Sequence, residues 1–365
     1  MAQESRKKDK IFFSYKEGTA DTPDTDEYFE GRGMMTLPEP TWLQESDYGK
    51  LGSGEHGKAT EIQAIGAPWS YKPYRMSEIG YLLAYFMGRG DEVQNSNSVY
   101  QHKLAHLTVS ERTLPTFTFE YGLGSASGNK VFSGNVVNDF SITLGAGGNG
   151  VVDATFNGWG NSHYISGAAL TKRTAGSMST GENDFSSEPL VNFKSSNFYI
   201  ATGGLESGLG TSSVDFAGED LGTGLITLTS LVNSVTITGN NGMSMEDKLR
   251  AGGCGVINDF QRGDRRFTLE INFRKNDATL DAWAALLANT SYAFEWLFSG
   301  PYISGTAPYS IDMFLPLFQF TATPEDDGSP ISRAGATEVF EDSNGDSAIV
   351  YVQNNASAAF NGTKS

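Results

Sequence analysis

The sequence predicts a mainly β protein with two short helices, built as duplicated β-sandwich or barrel domains that each carry a flanking α-helix. Three observations lead to this fold class. Several segments alternate apolar and polar residues with the period of two that a half-buried strand requires. The 365 residues include 43 glycines, which indicates many turns and long loops. Two segments show the spacing of three and four residues that is typical of an amphipathic helix.

The clearest predicted strand is Arg266–Arg274, in which every second residue from Phe267 is apolar and the residues between are Thr, Glu and Asn. The segment Leu225–Thr238 alternates in the same way. A sheet with one apolar and one polar face packs on a core and turns its other side to water or to a polar partner. Further alternating strands are predicted at 116–123, 131–147 and 150–160.

The first predicted helix is Arg75–Gly90, with Ser77 as its N-cap and Gly88 or Gly90 at its end. The second is Thr279–Thr290, which precedes two aromatic-rich strands. Each helix has a single apolar stripe, which is enough to cover one face of a sheet. The stripe of the first helix consists of Met76, Ile79, Leu83, Phe86 and Met87.

An internal repeat predicts the domain organisation. Val136–Leu144 and Leu231–Gly239 both place Asn third and Thr eighth, and each precedes a second alternating strand. Residues 1–50 are polar and patternless apart from a short strand candidate at Ile11–Tyr15, so we predict an N-terminal arm that becomes ordered only against a neighbour. A first domain with a Ser/Gly-rich insertion is predicted at 51–215, and a second domain with a C-terminal strand or tail at 216–365.

Composition and charge exclude several function classes. The formal net charge of −17 argues against general nucleic-acid binding, because phosphate binding needs clustered cations. The one cysteine, Cys254, has neither a Cys partner nor a neighbouring His, which argues against a thiol-based metal site. No signal peptide and no apolar run of about 18 residues is present, so we predict a soluble protein made in a cytoplasm.

Two local motifs have structural explanations that we favour over chemical ones. Gly52, Gly57 and Lys58 match a phosphate-loop pattern, but a strand does not precede them and a helix does not follow. His102 and His106 lie four residues apart without the Glu that a zinc protease needs, so we predict a strand with both on its exposed face. The sequence therefore predicts no cofactor, no metal and no catalytic residues.

At this point the pattern resembles the tail tube proteins of long-tailed bacteriophages, particularly those that carry two tube domains in one chain. The residues that carry the resemblance are VFSGNVVNDFSITLGAGGNGVVDATFNG, and LVNSVTITGNN with the later RRFTLEINF. The resemblance covers about Gly52 to Phe320. It implies a virion protein, made in the host bacterial cytoplasm, whose sheet joins those of neighbouring copies into rings that stack as a tube for DNA ejection.

The resemblance also implies the partners of this chain. Two tube domains per chain would give a homotrimeric, pseudo-hexameric ring, and a hexamer of chains is the alternative if the duplication is not real. Other tail proteins would be the tape measure, terminator and distal tail proteins. Double-stranded DNA would pass without specific binding, since an acidic wall repels it within about 8 Å, and no membrane is involved. Ring closure would pair the strand edges that an unfinished sheet exposes.

Opposite charges predict how rings stack. A basic loop lies in one part of the chain and an acidic loop in another, and their pairing would join one ring to the next. The candidate ring-stacking contacts are Arg262, Arg265 and Arg266 against Glu325, Asp326 and Asp327.

Two other function classes remain open at this stage. A carbohydrate-binding or adhesive β-sandwich could use Trp159, Tyr164 and Trp69 as sugar platforms. A hydrolytic enzyme is the third candidate because Asp and Glu are plentiful, although no paired-carboxylate spacing stands out.

Overall fold

The structure is a computed structural model, and it describes most of the chain in separate stretches. The described residues are 11–19, 22–29, 31–35, 41–43, 60–63, 67–88, 92–96, 99–107, 113–122, 130–145, 150–163, 183–202, 205–207, 219–221, 224–243, 262–274, 289–305, 307–321, 331–333, 337–340, 347–357 and 360.

The chain contains one described α-helix among many strands, which confirms the mainly β class. The helix is α1, Met76–Met87, and two 3₁₀ turns lie at Phe185–Ser187 and Phe193–Ser195. The strands are β1 Ile11–Thr19, β2 Thr22–Phe29, β3 Arg32–Met35, β4 Thr41–Leu43, β5 Thr60–Gln63, β6 Ala67–Lys72, β7 Glu92–Ser96, β8 Val99–Leu104, β9 Phe117–Gly122, β10 Lys130–Gly145, β11 Asp153–His163, β12 Asn183–Asp184, β13 Ser196–Ala201, β14 Leu205–Ser207, β15 Glu219–Leu221, β16 Leu225–Thr227, β17 Val232–Asn240, β18 Arg266–Arg274, β19 Ser291–Ser304, β20 Ala307–Phe320, β21 Ile331–Arg333, β22 Thr337–Phe340 and β23 Ile349–Asn354.

The N-terminal segment is part of the chain's own sheet. The strand predicted at Ile11–Tyr15 lies within β1, and the prediction of an arm ordered only by a neighbour is wrong for β2 and β3. Strand β1 pairs with β2 and with β9, and β3 pairs with β6. Burial explains why its polar composition misled the prediction. Lys16 and Glu27 are buried together and their side chains form an ion pair of 3.1 Å. A buried charge is tolerated when it is paired in this way.

Most strands join into one barrel-like body. Within the described ranges, however, the pairings do not return to their starting strand. Strands β3, β7, β12, β16 and β21 each have one paired neighbour there. The described sheet is therefore branched, with edges at these strands.

Helix α1 is enclosed by the sheets, whereas we predicted a flanking helix with one apolar stripe. All twelve of its residues are buried. Phe86 packs edge-on against Phe140 of β10, with ring centroids 4.8 Å apart. On the other side, a Cβ atom added to Gly80 would lie 2.9 Å from a methyl group of Val352 on β23. A helix that is buried on every side is a core element between two layers.

The ends of helix α1 agree with the prediction at one terminus and differ at the other. Gly88 ends the helix in the left-handed conformation, with φ of +87°, and its N–H donates to the carbonyl oxygen of Ala84 at 2.9 Å. The N-cap residue is Arg75 rather than Ser77. Ser77 lies inside the first turn, where it contacts a buried carboxyl group. The predicted second helix at 279–290 lies outside the described residues except for its last two positions.

The two repeat segments lie side by side in one sheet. Strand β10 pairs antiparallel with β17, and the register places Ile142 opposite Ile237. One continuous core cluster extends from Phe29 to Phe360 and draws on both predicted domains. The repeat therefore builds two neighbouring hairpins, β10–β11 and β17–β18, over one shared core.

Candidate functional site

The candidate site is the polar face of four neighbouring strands of the main sheet, β11–β10–β17–β18. Cross-strand register shows how the two faces separate. One row across the sheet consists of Ala154, Ile142, Ile237 and Leu269, all buried. Because side chains alternate between the faces of a strand, the rows on either side of this one point the opposite way.

Three rows form the polar face, and each has one residue from each strand. Eight of their twelve side chains are hydroxyls or amides, three are carboxylates and one is a guanidinium. Such a surface has few cations for a polyanion to bind. The rows are Asp153, Thr143, Thr236 and Glu270; Thr155, Ser141, Thr238 and Thr268; and Asn157, Asp139, Asn240 and Arg266.

Hydrogen bonds between neighbouring strands hold these polar side chains in place. The hydroxyl groups of Thr143 and Thr236 lie 3.1 Å apart, and those of Thr238 and Thr268 also bond. The Nδ2 of Asn157 donates to the Asp139 carboxylate at 2.7 Å. Such cross-strand pairs stabilise a sheet. The face is thus an ordered surface of hydroxyl and amide groups.

The opposite face of this sheet packs on helix α1. Phe140 and Phe267 flank the Phe86 ring, at centroid distances of 4.8 and 5.7 Å. Gly239 lies between them, where a Cβ atom would be 2.4 Å from the Phe140 ring and 2.8 Å from the Phe86 ring. The glycine of the second repeat segment therefore allows the helix to approach β17 closely.

Arg265, one of the predicted stacking residues, is bound within its own chain at the C-terminal end of helix α1. Its Nη2 donates to the carbonyl oxygens of Phe86 and Met87, at 2.9 and 3.0 Å. Its Nε donates to Oδ1 of Asn241 at 2.6 Å. A cation at this end of a helix also interacts favourably with the helix dipole. The guanidinium of Arg265 therefore stabilises the fold, a role that the sequence did not reveal.

The other predicted stacking residues have different surroundings. Arg266 is exposed on the polar face, and Arg262 is half-buried with a bond from Nη1 to the carbonyl oxygen of Gly263 at 3.3 Å. Arg262, Arg265 and Arg266 therefore differ in exposure and in hydrogen bonding, although they are close in sequence. The predicted acidic partners, Glu325, Asp326 and Asp327, lie outside the described residues, so the stacking contact stays a prediction.

The two histidines are buried, so the prediction of an exposed pair on a strand is wrong. Nε2 of His102 lies 3.0 Å from Oδ1 of Asn354. Nε2 of His106 accepts from the backbone N–H of Ala348 at 2.9 Å, and its Nδ1 contacts Arg265. Burial lowers the pKa of His106 well below its usual value, and the nearby arginines lower it further. His106 therefore stays neutral at physiological pH.

The described residues give little basis for a sugar platform or a metal site. Trp69 is buried and packs against Phe119, with ring centroids 5.3 Å apart. Trp159 is half-buried, and Tyr164 lies outside the described residues. The phosphate-loop pattern at 52–58 and Cys254 also lie outside them. Within the described ranges, no three His, Cys, Asp or Glu side chains cluster as metal ligands would.

Helix α1 is too short to cross a bilayer, and the described parts of the chain contain no other helix long and apolar enough to do so. Comparison with known proteins identifies the kind of molecule. No curated protein matches the chain. A family model described as phage tail tube protein matches residues 64–362. This match includes the polar-faced sheet, helix α1 and most of the remaining sequence, so the chain belongs to the phage tail tube protein family and is a structural component of the virion tail.

Proposed function

We propose that the chain polymerises as stacked rings into the phage tail tube, and that the polar face of β11–β10–β17–β18 lines the channel for DNA ejection. Membership of the tail tube family implies self-association and contact with other tail proteins. The observation that carries the finer proposal is the composition of this face, which is polar and poor in cations.

The charge of the face suits passage of DNA better than binding. A duplex carries one negative charge per about 1.7 Å, and every phosphate neutralised by a cation strengthens binding. The twelve side chains of the face include three carboxylates and one guanidinium, Arg266. Repeated around a ring and along a tube, such a wall repels the duplex at distances within about 8 Å. We therefore infer that DNA slides through without specific contacts.

We propose a ring of six chains rather than the trimer that the resemblance implies. The trimer required two separate tube domains in each chain. The repeat segments instead build adjacent hairpins in one sheet, over one core and against one described helix. The antiparallel neighbours β10 and β17 are related by a two-fold axis perpendicular to the sheet. A rotation about the tube axis would instead relate two domains whose matching strands run in the same direction. The repeat is thus a poor match to ring symmetry.

Electron microscopy of the purified full-length protein tests polymerisation and stoichiometry together. We expect hollow tubes or stacked rings, with six subunits in each ring. Dispersed monomers at every concentration would contradict the proposal, and a three-subunit ring would contradict the stoichiometry. The carbohydrate-binding alternative predicts dispersed particles.

A pair of added cations tests which face lines the channel. Thr236→Lys with Thr268→Lys places two cations per chain on the polar face, and tubes of this variant should retain duplex DNA at low salt and release it as salt rises. Ser187→Lys with Ser304→Lys adds the same charge at two exposed positions outside the polar face and serves as the matched control. Equal retention by both variants would show that the polar face does not line the channel.

A further inference from the structure

Strand β6 forms one lateral margin of the polar face. It pairs antiparallel with β11, and the register places Ser70 opposite Asn157, so Ser70 extends one of the polar rows. Lys72 lies on the same face of β6, and its Nζ is 3.1 Å from Oδ1 of Asp153. The family match begins at residue 64 and therefore includes β6.

A strand from outside the family match covers the edge of β6. Strand β3 pairs antiparallel with it, from Arg32 opposite Lys72 to Met35 opposite Trp69. These β3 residues precede the matched region. Because self-association is a property of the family, we expect its contact surfaces within the region that the family shares. The edge of β6 belongs to that region, and in this chain a strand from outside the region pairs with it.

A glycine allows this covering strand to approach β6 closely. An added Cβ atom on Gly31, immediately before β3, would lie 2.4 Å from the carbonyl oxygen of Lys72 and 2.5 Å from the Tyr71 ring. The Tyr71 ring is buried and packs on Phe29, with ring centroids 5.4 Å apart, so it has little room to move away. The docking of β3 therefore depends on the absence of a side chain at position 31.

We propose that the edge of β6 is the lateral contact between neighbouring chains, and that β3 covers it in the single chain and leaves it when a second copy docks. This inference rests on the proposed function, because it concerns closure of the ring that the polar face lines. The partner is a second copy of this chain, which presents the opposite margin of its polar-faced strands. At that margin β21 pairs with β18 and with no other strand of the described ranges.

The physical reason for such a cover is the reactivity of an open strand edge. An exposed edge presents unpaired N–H and C=O groups to other chains, and short or charged edge strands limit such pairing. Strand β3 has four residues and begins with Arg32, whereas β6 has six residues. The covered chain thus has a poorer edge for pairing than the uncovered one, and it joins a ring only after β3 leaves.

Only the end of the N-terminal segment has to move. Phe29 is buried against Tyr81, with ring centroids 5.2 Å apart, and β2 pairs with β1. These contacts lie before Gly31 and stay in place when β3 leaves. Four register pairs join β3 to β6, and pairing with a second copy replaces their backbone hydrogen bonds. The second copy shifts the equilibrium because it binds only the uncovered state.

A reversible disulfide between β3 and β6 tests the cover, in a Cys254→Ser background that lacks the one native cysteine. Met34→Cys with Ser70→Cys joins register partners, and the Cα separation of about 4.5–5.5 Å in an antiparallel pair suits a disulfide. The oxidised chain should form tubes at least about tenfold more slowly than the same chain after reduction. Ser299→Cys with Ser310→Cys, register partners on β19 and β20, is the matched control and should grow equally in both states.

Loosening the cover should have the opposite effect. Gly31→Ala forces β3 away from β6, so tube growth in light scattering should rise by about threefold or more. Gly300→Ala is the matched control, because its added carbon would lie 3.0 Å from the Pro189 ring, away from the polar face. It should grow like the wild type, and a Gly31→Ala chain that folds and grows no faster than this control would contradict the cover.

The thiols of finished tubes give a second measurement. Tubes grown from reduced Met34→Cys, Ser70→Cys chains and then oxidised should contain no intrachain disulfide, because β3 has left β6. An intrachain disulfide formed as completely there as in single chains would overturn the cover, and so would oxidised chains that grow at the reduced rate. These results with normal wild-type tubes refute the cover alone. Wild-type protein that forms no tubes refutes the proposed function and the cover together.

Discussion

Replacement of Arg265 by alanine should destabilise the folded chain, because this guanidinium hydrogen-bonds the carbonyl oxygens at the C-terminal end of helix α1. Its Nη2 bonds both Phe86 and Met87 carbonyl oxygens, within 3.0 Å, and its Nε bonds Asn241. The guanidinium carbon also lies 5.2 Å from the centre of the Phe86 ring. Helix α1 is fully buried, so water has limited access to the residues that Arg265 contacts there.

The magnitude follows from the hydrogen bonds that the substitution removes. Arg265→Ala leaves Oδ1 of Asn241 without this donor, and an unsatisfied buried acceptor costs about 1–3 kcal/mol. The carbonyl oxygens of Phe86 and Met87 each keep a second donor, Nδ2 of Asn241 at 3.1 Å and the N–H of Leu107 at 3.2 Å, so their loss costs less. Water reaches the half-buried site in part and reduces the cost of the substitution. We expect the free energy of unfolding to fall by about 2 kcal/mol.

Urea denaturation followed by circular dichroism measures this change, and Arg266→Ala is the matched control. Arg266 is the next residue, has the same charge and is exposed. Its replacement should alter stability by less than about 0.5 kcal/mol. Equal losses for the two variants, or a loss below about 1 kcal/mol for Arg265→Ala, would refute the inference that Arg265 stabilises the helix end.

Two further predictions concern the helix–sheet contact and ring stacking. Gly239→Ala should lower the free energy of unfolding by about 2 kcal/mol through overpacking, since the added carbon would lie 2.4 Å from the Phe140 ring. In Gly145→Ala the added carbon would lie 3.1 Å from Ser234 Cβ, so the free energy of unfolding should fall by less. Equal urea midpoints for the two variants would contradict this reasoning. Arg266→Glu should slow tube growth by more than about tenfold, because like charges repel at an interface, while leaving the fold intact. Charge reversal of Glu325, Asp326 and Asp327 to Lys should restore growth in that background, and unchanged growth of the single variant in light scattering would remove Arg266 from the stacking contact.

Local pattern was sufficient for much of the candidate site. Alternation in Arg266–Arg274 assigned Thr268 and Glu270 to a polar face and Leu269 to the core, as the structure has them. The periodicity of 75–90 located helix α1, and Gly88 marked its end. These properties depend on residues a few positions apart, and the backbone geometry of a strand or helix converts that spacing directly into faces.

Long-range contacts decided the rest. In the polar N-terminal segment, the buried charges of Lys16 and Glu27 are tolerated because they form an ion pair. The two repeat segments are neighbours in one sheet because β10 pairs with β17.

The sequence by itself determined which residues of this protein could form strands and which of their faces would be polar. Only the tertiary structure decided that Arg265 supports helix α1 and that His102 and Glu188 are buried. The partners of Arg265 on that helix are 178 and 179 residues away in the chain. A polar side chain can be buried wherever distant groups satisfy its hydrogen bonds, and composition and periodicity carry no record of those partners.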